Sequence, residues 1–139
     1  MELNLERPGD HHYIRSLNQL GIRIGDEYYS GSIIVSASRI INNWPPVSAD
    51  KLQESDLVPI LELMPEVLIL GTGHKQVFLA PEMMASFYQN GIGIEVMKTD
   101  AACRTFNILV SEGRNVVAAL IQQGHLQDSF TRGYIPEPG

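Results

Sequence analysis

Val67-Leu68-Ile69-Leu70-Gly71-Thr72-Gly73, Ile94-Glu95-Val96-Met97-Lys98-Thr99-Asp100 and Val116-Val117-Ala118-Ala119-Leu120-Ile121 decide how this chain folds. The first and third open on continuous apolar runs of strand length, the pattern of strands covered on both faces. Between the first and second, Pro81 starts a helical stretch that runs through Met83, Met84, Phe87 and Tyr88 and stops at Asn90-Gly91. Proline in the first turn and glycine past the end are the usual start and stop. Between the second and third, Thr99-Asp100 is expected to cap a longer helix with Ala102, Phe106, Leu109 and Val110 on one face and Gly113 ending it. Strands joined by single helices imply right-handed crossovers and parallel pairing.

Upstream the pattern changes. From Tyr13 to Ile41, short β-branched and aromatic runs are separated by turn residues. Ile22-Arg23-Ile24, Gly25-Asp26 and Glu27-Tyr28-Tyr29 read as a tight hairpin, glycine supplying the positive φ of a primed turn. Ser30-Gly31 turns the chain into Ser32-Ile33-Ile34-Val35-Ser36, and Trp44-Pro45-Pro46 closes the meander, since two prolines continue neither strand nor helix. Ser55 is expected to cap a short helix or turn that Pro59 disturbs. The fold expected is α/β, a mixed sheet with a parallel βαβαβ core and an antiparallel N-terminal β-meander. It forms one domain over residues 1–139, ordered from about 12 to about 130, with loosely held, proline-bearing ends.

The chain has 139 residues, 44% hydrophobic and 19% charged, which are ordinary globular values for one domain. A formal charge of −6 with scattered basic residues argues against nucleic acid as a partner. Cys103 is the single cysteine, so neither an internal disulfide nor a cysteine-based zinc cage can form, and a reducing cytosol suits it. The start, Met1 to Pro8, is acidic where a secretory signal is basic and then apolar. The longest apolar runs are too short to cross a bilayer. A cytoplasmic protein with no membrane span is expected.

A resemblance appears on Gly31-Ser32-Ile33-Ile34-Val35 with Trp44, on Leu68-Ile69-Leu70-Gly71-Thr72-Gly73, and on Met97-Lys98-Thr99-Asp100-Ala101-Ala102 with Thr105-Phe106-Asn107-Ile108-Leu109 and Glu112-Gly113-Arg114. These residues resemble the family of mitochondrial complex I assembly factor three, which also holds an adipogenesis-associated cytosolic protein and small prokaryotic proteins. The resemblance runs from about Gly31 to Ile121. Phe106 departs from it, the family often carrying tyrosine there, so no phenol hydroxyl serves at that position here. The resemblance implies a mixed α/β sheet and, in the mitochondrial member, an assembly role without established catalysis. Fold and family together leave the activity open.

In open α/β sheets, ligands sit in the crevice at the carboxyl ends of the strands. Gly71-Thr72-Gly73-His74-Lys75 and Lys98-Thr99-Asp100 converge there, the second opening into a helix N-terminus, which favours an anion. Gly71, Thr72, Gly73, His74, Lys98, Thr99 and Asp100 are therefore the candidate ligand-binding set, for a small anionic ligand. The plainer reading, which is favoured, is that both glycines satisfy turn geometry and that Thr99 and Asp100 only cap a helix. The third glycine of a dinucleotide fingerprint and the Gly-Lys-Ser/Thr ending of a phosphate loop are both missing.

Cys103 lies one turn into that helix, where a thiol can be activated, but its alanine neighbours favour a small buried cysteine. His11-His12, His74 and His125 make no metal pattern, and no cofactor or metal is expected. His74 alone lies near the crevice. Arg114 is expected to pair with Glu112 or a helix carbonyl, or to anchor a partner. Asn107 is expected to tie a neighbouring loop, and Met64, Met83, Met84 and Met97 to fill the core.

No nucleophile–base or carboxylate pair stands at a useful spacing. The function expected is that of a non-catalytic interaction or assembly protein. It would bind a protein partner or self-associate through an exposed apolar patch around Trp44, Met83 and Phe87, with Arg114 as a further contact. The alternative is a small-molecule or anion-binding protein, or an enzyme, using the carboxyl edge of the strands.

Overall fold

The computed structural model describes residues 11–122. Three antiparallel strands come first: β1 (Ile14–Asn18), β2 (Gly21–Ile24) and β3 (Glu27–Tyr29). A two-residue turn, Gly25-Asp26, joins β2 to β3 with Ile24 opposite Glu27, and Gly25 takes the φ of 61° that a primed turn needs. The chain continues as β4 (Ile33–Ser36), β5 (Ile40–Ile41), α1 (Glu54–Leu63), β6 (Val67–Gly71), α2 (Pro81–Gln89), β7 (Gly93–Met97), α3 (Thr99–Ser111) and β8 (Val116–Leu120).

The main sheet has the order β5-β4-β8-β6-β7, with β6 parallel to both β7 and β8 and β4 antiparallel to β8. The parallel core and the antiparallel N-terminal part follow the sequence reading. One boundary shifts. The meander ends at β3, and the β4–β5 hairpin joins the main sheet instead, Ile33 opposite Leu120 and Val35 opposite Ala118. Ile33, Ile34 and Val35 are all fully buried, as a strand with covered faces must be.

Strand alternation sorts the interior into two cores. Val116, Ala118 and Leu120 face the side covered by α3 and the three-stranded sheet, with Ile14, Ile22, Ile24, Ile69 and Phe106. Val117, Ala119 and Ile121 face the side covered by α1 and α2, with Trp44, Leu57, Ile60, Leu68, Leu70 and Phe87. The result is three layers with the main sheet in the middle. Asn107 ties the first layer together. Its Oδ1 accepts from the Ile14 N–H and its Nδ2 donates to the Ile14 carbonyl, both at 2.8 Å, so the side chain acts as one rung of a sheet beside β1. The partner is thus a strand and not the loop expected.

Both crossover helices close on glycine. Gly91 and Gly113 take φ values of 76° and 79°. The Ile92 N–H bonds Phe87 O at 2.9 Å and the Arg114 N–H bonds Leu109 O at 3.1 Å, completing two Schellman motifs. At α1 the cap is Gln53 and not Ser55, with Asp56 Oδ2 accepting from the Gln53 N–H at 2.8 Å. Pro59 sits inside this ten-residue helix without ending it. Met64 is not core filler: it holds the left-handed position after α1 at φ 50° and is 76% exposed. The expected loose ends and His125 lie outside the described residues.

Candidate functional site

The carboxyl ends of β6, β7 and β8 come together, as the parallel core requires. Gly71 O accepts from the Ile121 N–H at 3.0 Å, Met97 O from the Thr72 N–H at 2.9 Å and Gly73 O from the Thr99 N–H at 3.0 Å. Gly71, Thr72, Gly73, Thr99 and Asp100 do meet at one place. What they build is a closed junction.

Thr99 is the keystone. It is the first residue of α3, with Lys98 in the capping position, so its hydroxyl does not cap the helix as expected. Instead the hydroxyl accepts from the Gly73 N–H at 2.7 Å and donates to Ile121 O at 2.9 Å, joining the loop after β6 to the end of β8. Thr72 is used in the same way. Its hydroxyl lies 2.6 Å from Lys75 O and 3.2 Å from Met97 O. Both threonines are buried. Donors and acceptors already paired in the fold offer a ligand nothing without first being broken.

Gly71 explains the tightness. A Cβ there would stand 2.9 Å from Thr99 Cα and 3.1 Å from Ala102 Cβ, so α3 sits directly on the β6 backbone. Gly73 needs its own freedom, at φ 98°. The helix N-terminus is filled from within too: the Asp100 carboxylate accepts from the Ala101 N–H at 2.7 Å, and a carboxylate in the first turn already complements the dipole. Lys98 is exposed and His74 half-buried. Ser32 and Gln122, which sequence reading did not single out, seal the neighbouring edge. Gln122 Nε2 donates to Tyr29 O at 2.7 Å and Gly31 O at 2.6 Å, and the Gln122 N–H to the Ser32 hydroxyl at 2.9 Å.

Cys103 is fully buried, and burial pushes its thiol up to about 12, with the nearby Asp100 charge adding to the rise. A thiol with so little thiolate is a poor nucleophile. Its folded pKa lies above its unfolded value, so the stability from keeping it neutral is complete below about pH 9 and fades as pH climbs toward 12. At neutral pH the native chain is expected to give no reaction with a thiol reagent such as a disulfide dye, and one equivalent after unfolding in guanidinium. A native thiol that reacts within minutes would contradict the packing of α3. Among the described residues, no group of three His, Cys, Asp or Glu side chains stands close enough to hold a metal ion.

The candidate partner residues fall differently. Trp44 is buried, its backbone N–H on Ser32 O at 3.0 Å and its indole N–H on Asp56 O at 2.9 Å. Phe87 is buried on the inner face of α2, and Met83 packs half-buried against the same core. These three therefore form no exposed apolar patch. They fasten α1, α2 and the β5–α1 connection to the sheet. Arg114 pairs with Glu66 and not with Glu112 or a carbonyl, its Nη2 and Nε lying 2.9 and 3.0 Å from Glu66 Oε2. The guanidinium, helped by the Asn115 N–H, holds the Glu66 carboxyl below the usual carboxylate range. Among the described residues, the large apolar side chains that are exposed lie elsewhere and include Phe78 at 84%, Met64, Tyr88 and Ile108.

This layout has relatives. Residues 14–121 match the model of the family described as "Protein of unknown function (DUF498/DUF598)". The chain belongs to it. Among members of the DUF498/DUF598 family, the mouse NADH dehydrogenase (ubiquinone) 1 alpha subcomplex assembly factor 3 is 34% identical over 78% of this chain. The match covers 60% of that protein, so this chain spans somewhat less than two-thirds of its length. A protein of Francisella tularensis named "13 kDa major membrane protein" is 32% identical over 72% of this chain and 80% of its own length. The solution structure of a Mth938-like domain from Bordetella pertussis superposes with a TM-score of 0.76 at 28% identity, over 89% of this chain and 94% of that one. The kinship that the sequence suggested, with a family that includes this assembly factor and small bacterial proteins, is thus shown. Among the described residues, no helix is long and apolar enough to cross a membrane.

Proposed function

We propose that this DUF498/DUF598 member is a non-catalytic protein of the interaction or assembly kind, working in the cytoplasm by binding a protein partner or a second copy of itself. The observation that supports this most is the Thr99 hydroxyl, spent between Gly73 N–H and Ile121 O at the one place where the fold would put a ligand. With Thr72 spent likewise and Gly71 against α3, the strand ends act as a rigid junction. A rigid scaffold with exposed large apolar side chains suits binding more than turnover. The mouse relative is named as an assembly factor, which agrees with this reading.

Capture of the tagged chain from its source cell at native expression is the test. The expected result is a stoichiometric complex, recovered again when the co-purifying protein carries the tag, or a discrete oligomer of the chain itself, in the cytoplasmic fraction. A chain that instead emerges alone with one bound metabolite, lost on Lys98→Ala, overturns the proposal in favour of a small anionic ligand at the strand ends. Recovery with membranes would remove the cytoplasmic part; one relative is named as a membrane protein.

A further inference from the structure

β7 is the outer strand of the main sheet, on the side away from β4 and β5. Gly93 N–H bonds Glu66 O at 3.1 Å and Met97 O accepts from Thr72 N–H at 2.9 Å. These contacts turn Gly93, Glu95 and Met97 toward β6, since alternate residues of a strand serve opposite neighbours. Ile94 and Val96 therefore direct their N–H and C=O groups outward. Among the described residues, the hydrogen bond on that edge is a side-chain one: Gln76 Nε2 donates to Val96 O at 3.0 Å. An edge of this kind is a template for another strand.

A second observation falls at the same place. Gln76 lies against Val96, and Phe78 is only two residues further on, within about 7 Å along the backbone. Val77 and Leu79 pack into the core beneath α2, while Phe78 between them is 84% exposed. A phenyl ring held outward on a segment anchored at both sides is the kind of aromatic contact on which binding energy concentrates.

We propose that the outer edge of β7 docks an extended segment of another protein that carries a lysine or arginine opposite Glu95, with Phe78 as the aromatic anchor. The inference rests on the interaction reading above and says where and how the partner binds. Charge selects the occupant. An antiparallel strand bonded to Ile94 and Val96 sets its central residue against Glu95 as a non-hydrogen-bonded pair, where side chains are closest. Glu95 is exposed and on no ion pair among the described residues. In a full-length pairing of β7 with its own copy, Glu95 would face Glu95 between two chains of formal charge −6, an unfavourable match. A basic residue on a foreign strand relieves this and adds a cross-strand ion pair. The strand displaces the Gln76 amide and takes its place on Val96 O.

The test uses the full chain, labelled with nitrogen-15, and two blocked heptapeptides of alternating valine and threonine that differ only in a central lysine or glutamate. The lysine peptide is expected to shift the Ile94, Val96 and Phe78 amides saturably, with the glutamate peptide about tenfold weaker or more. Glu95→Lys inverts that preference, and Phe78→Ala weakens the lysine peptide about tenfold. Val96→Pro abolishes binding and leaves the sheet in place, because proline is tolerated on an edge strand where its nitrogen faces solvent. Absence of shifts at these amides, equal response to both peptides, or shifts produced by raising the protein concentration alone would each overturn the proposal. If it falls while the captured complex survives Glu95→Lys and Phe78→Ala, the interaction reading stands and the docking site lies elsewhere. If the wild-type chain captures nothing, the interaction reading itself is at fault.

Discussion

Gly71→Ala is expected to cost about 3 kcal/mol of stability and to lower the melting temperature by roughly 10 °C for a domain of this size. The new methyl group would sit 2.9 Å from Thr99 Cα, 2.9 Å from Thr99 Oγ1 and 3.1 Å from Ala102 Cβ. Real Cβ atoms do not approach backbone so closely, and a backbone atom cannot step aside as a side-chain tip can. The helix must move off β6. Thr99 then draws away from Gly73 N–H and from Ile121 O, and the Thr99 N–H from Gly73 O. Overpacking by one methyl accounts for 1–3 kcal/mol, and weakening buried hydrogen bonds at about 1 kcal/mol each supplies the rest.

Two comparisons isolate the cause. Gly113→Ala meets only open space but sits at φ 79°, so it pays backbone strain alone and is expected to lose about 1 kcal/mol. Thr99→Val in the Gly71→Ala background should add less than it does in the native chain, because the latch is already loosened and the two sites share it. Chemical denaturation of the native chain and of these four variants, the double variant included, measures all of this. A near-neutral Gly71→Ala would mean slack between α3 and β6. The junction would then have room to open around a ligand, and the binding reading of the strand ends would regain its ground.

The same junction shows what a sequence conveys and what it withholds. The parallel strands were legible because Val67 to Leu70 and Val116 to Ile121 are apolar without interruption, and because Pro81, Gly91 and Gly113 bound their helices by local backbone rules. That the strand ends converge followed from the topology. That they are sealed did not, since the sealing depends on how closely α3 lies on Gly71, a distance no local pattern encodes. Ile33-Ile34-Val35 carried the same two-faced apolar signature as β6, yet the preceding hairpin suggested a continued meander. Its partner β8 lies more than eighty residues away, and pairing at that range leaves no mark in neighbouring residues. Trp44 beside two prolines looked like a surface residue, but a hydrogen bond from its indole N–H to Asp56 O lets the ring lie inside. Arg114 found Glu66 across 48 positions, beyond any rule based on helix spacing.

Phe106→Ala should be the most damaging of the single substitutions considered, at about 3–5 kcal/mol. The ring has no exposed surface and lies in the core shared by α3, the main sheet and the three-stranded sheet, among Ile14, Ile22, Ile24, Ile69 and Ala118. Whole-domain stabilities run from about 5 to 15 kcal/mol, so a loss of this size leaves a marginal chain. The damage should also be uneven. β1 is held to α3 by the paired bonds between Asn107 and Ile14, at the residue next to the deleted ring, and by the packing of Ile14 and Leu17 in the core that the ring fills. Amide exchange in β1 and β2 is therefore expected to quicken more than in β6 and β8, whose other face keeps Leu68, Leu70, Phe87 and Ile121 intact. Phe106→Leu, which keeps most of the volume, should cost under about 1.5 kcal/mol and leave that exchange pattern unaltered. Uniform exchange across all strands in Phe106→Ala would show instead that the three layers open as one unit. The small sheet would then be as much a part of the rigid scaffold as β6 itself.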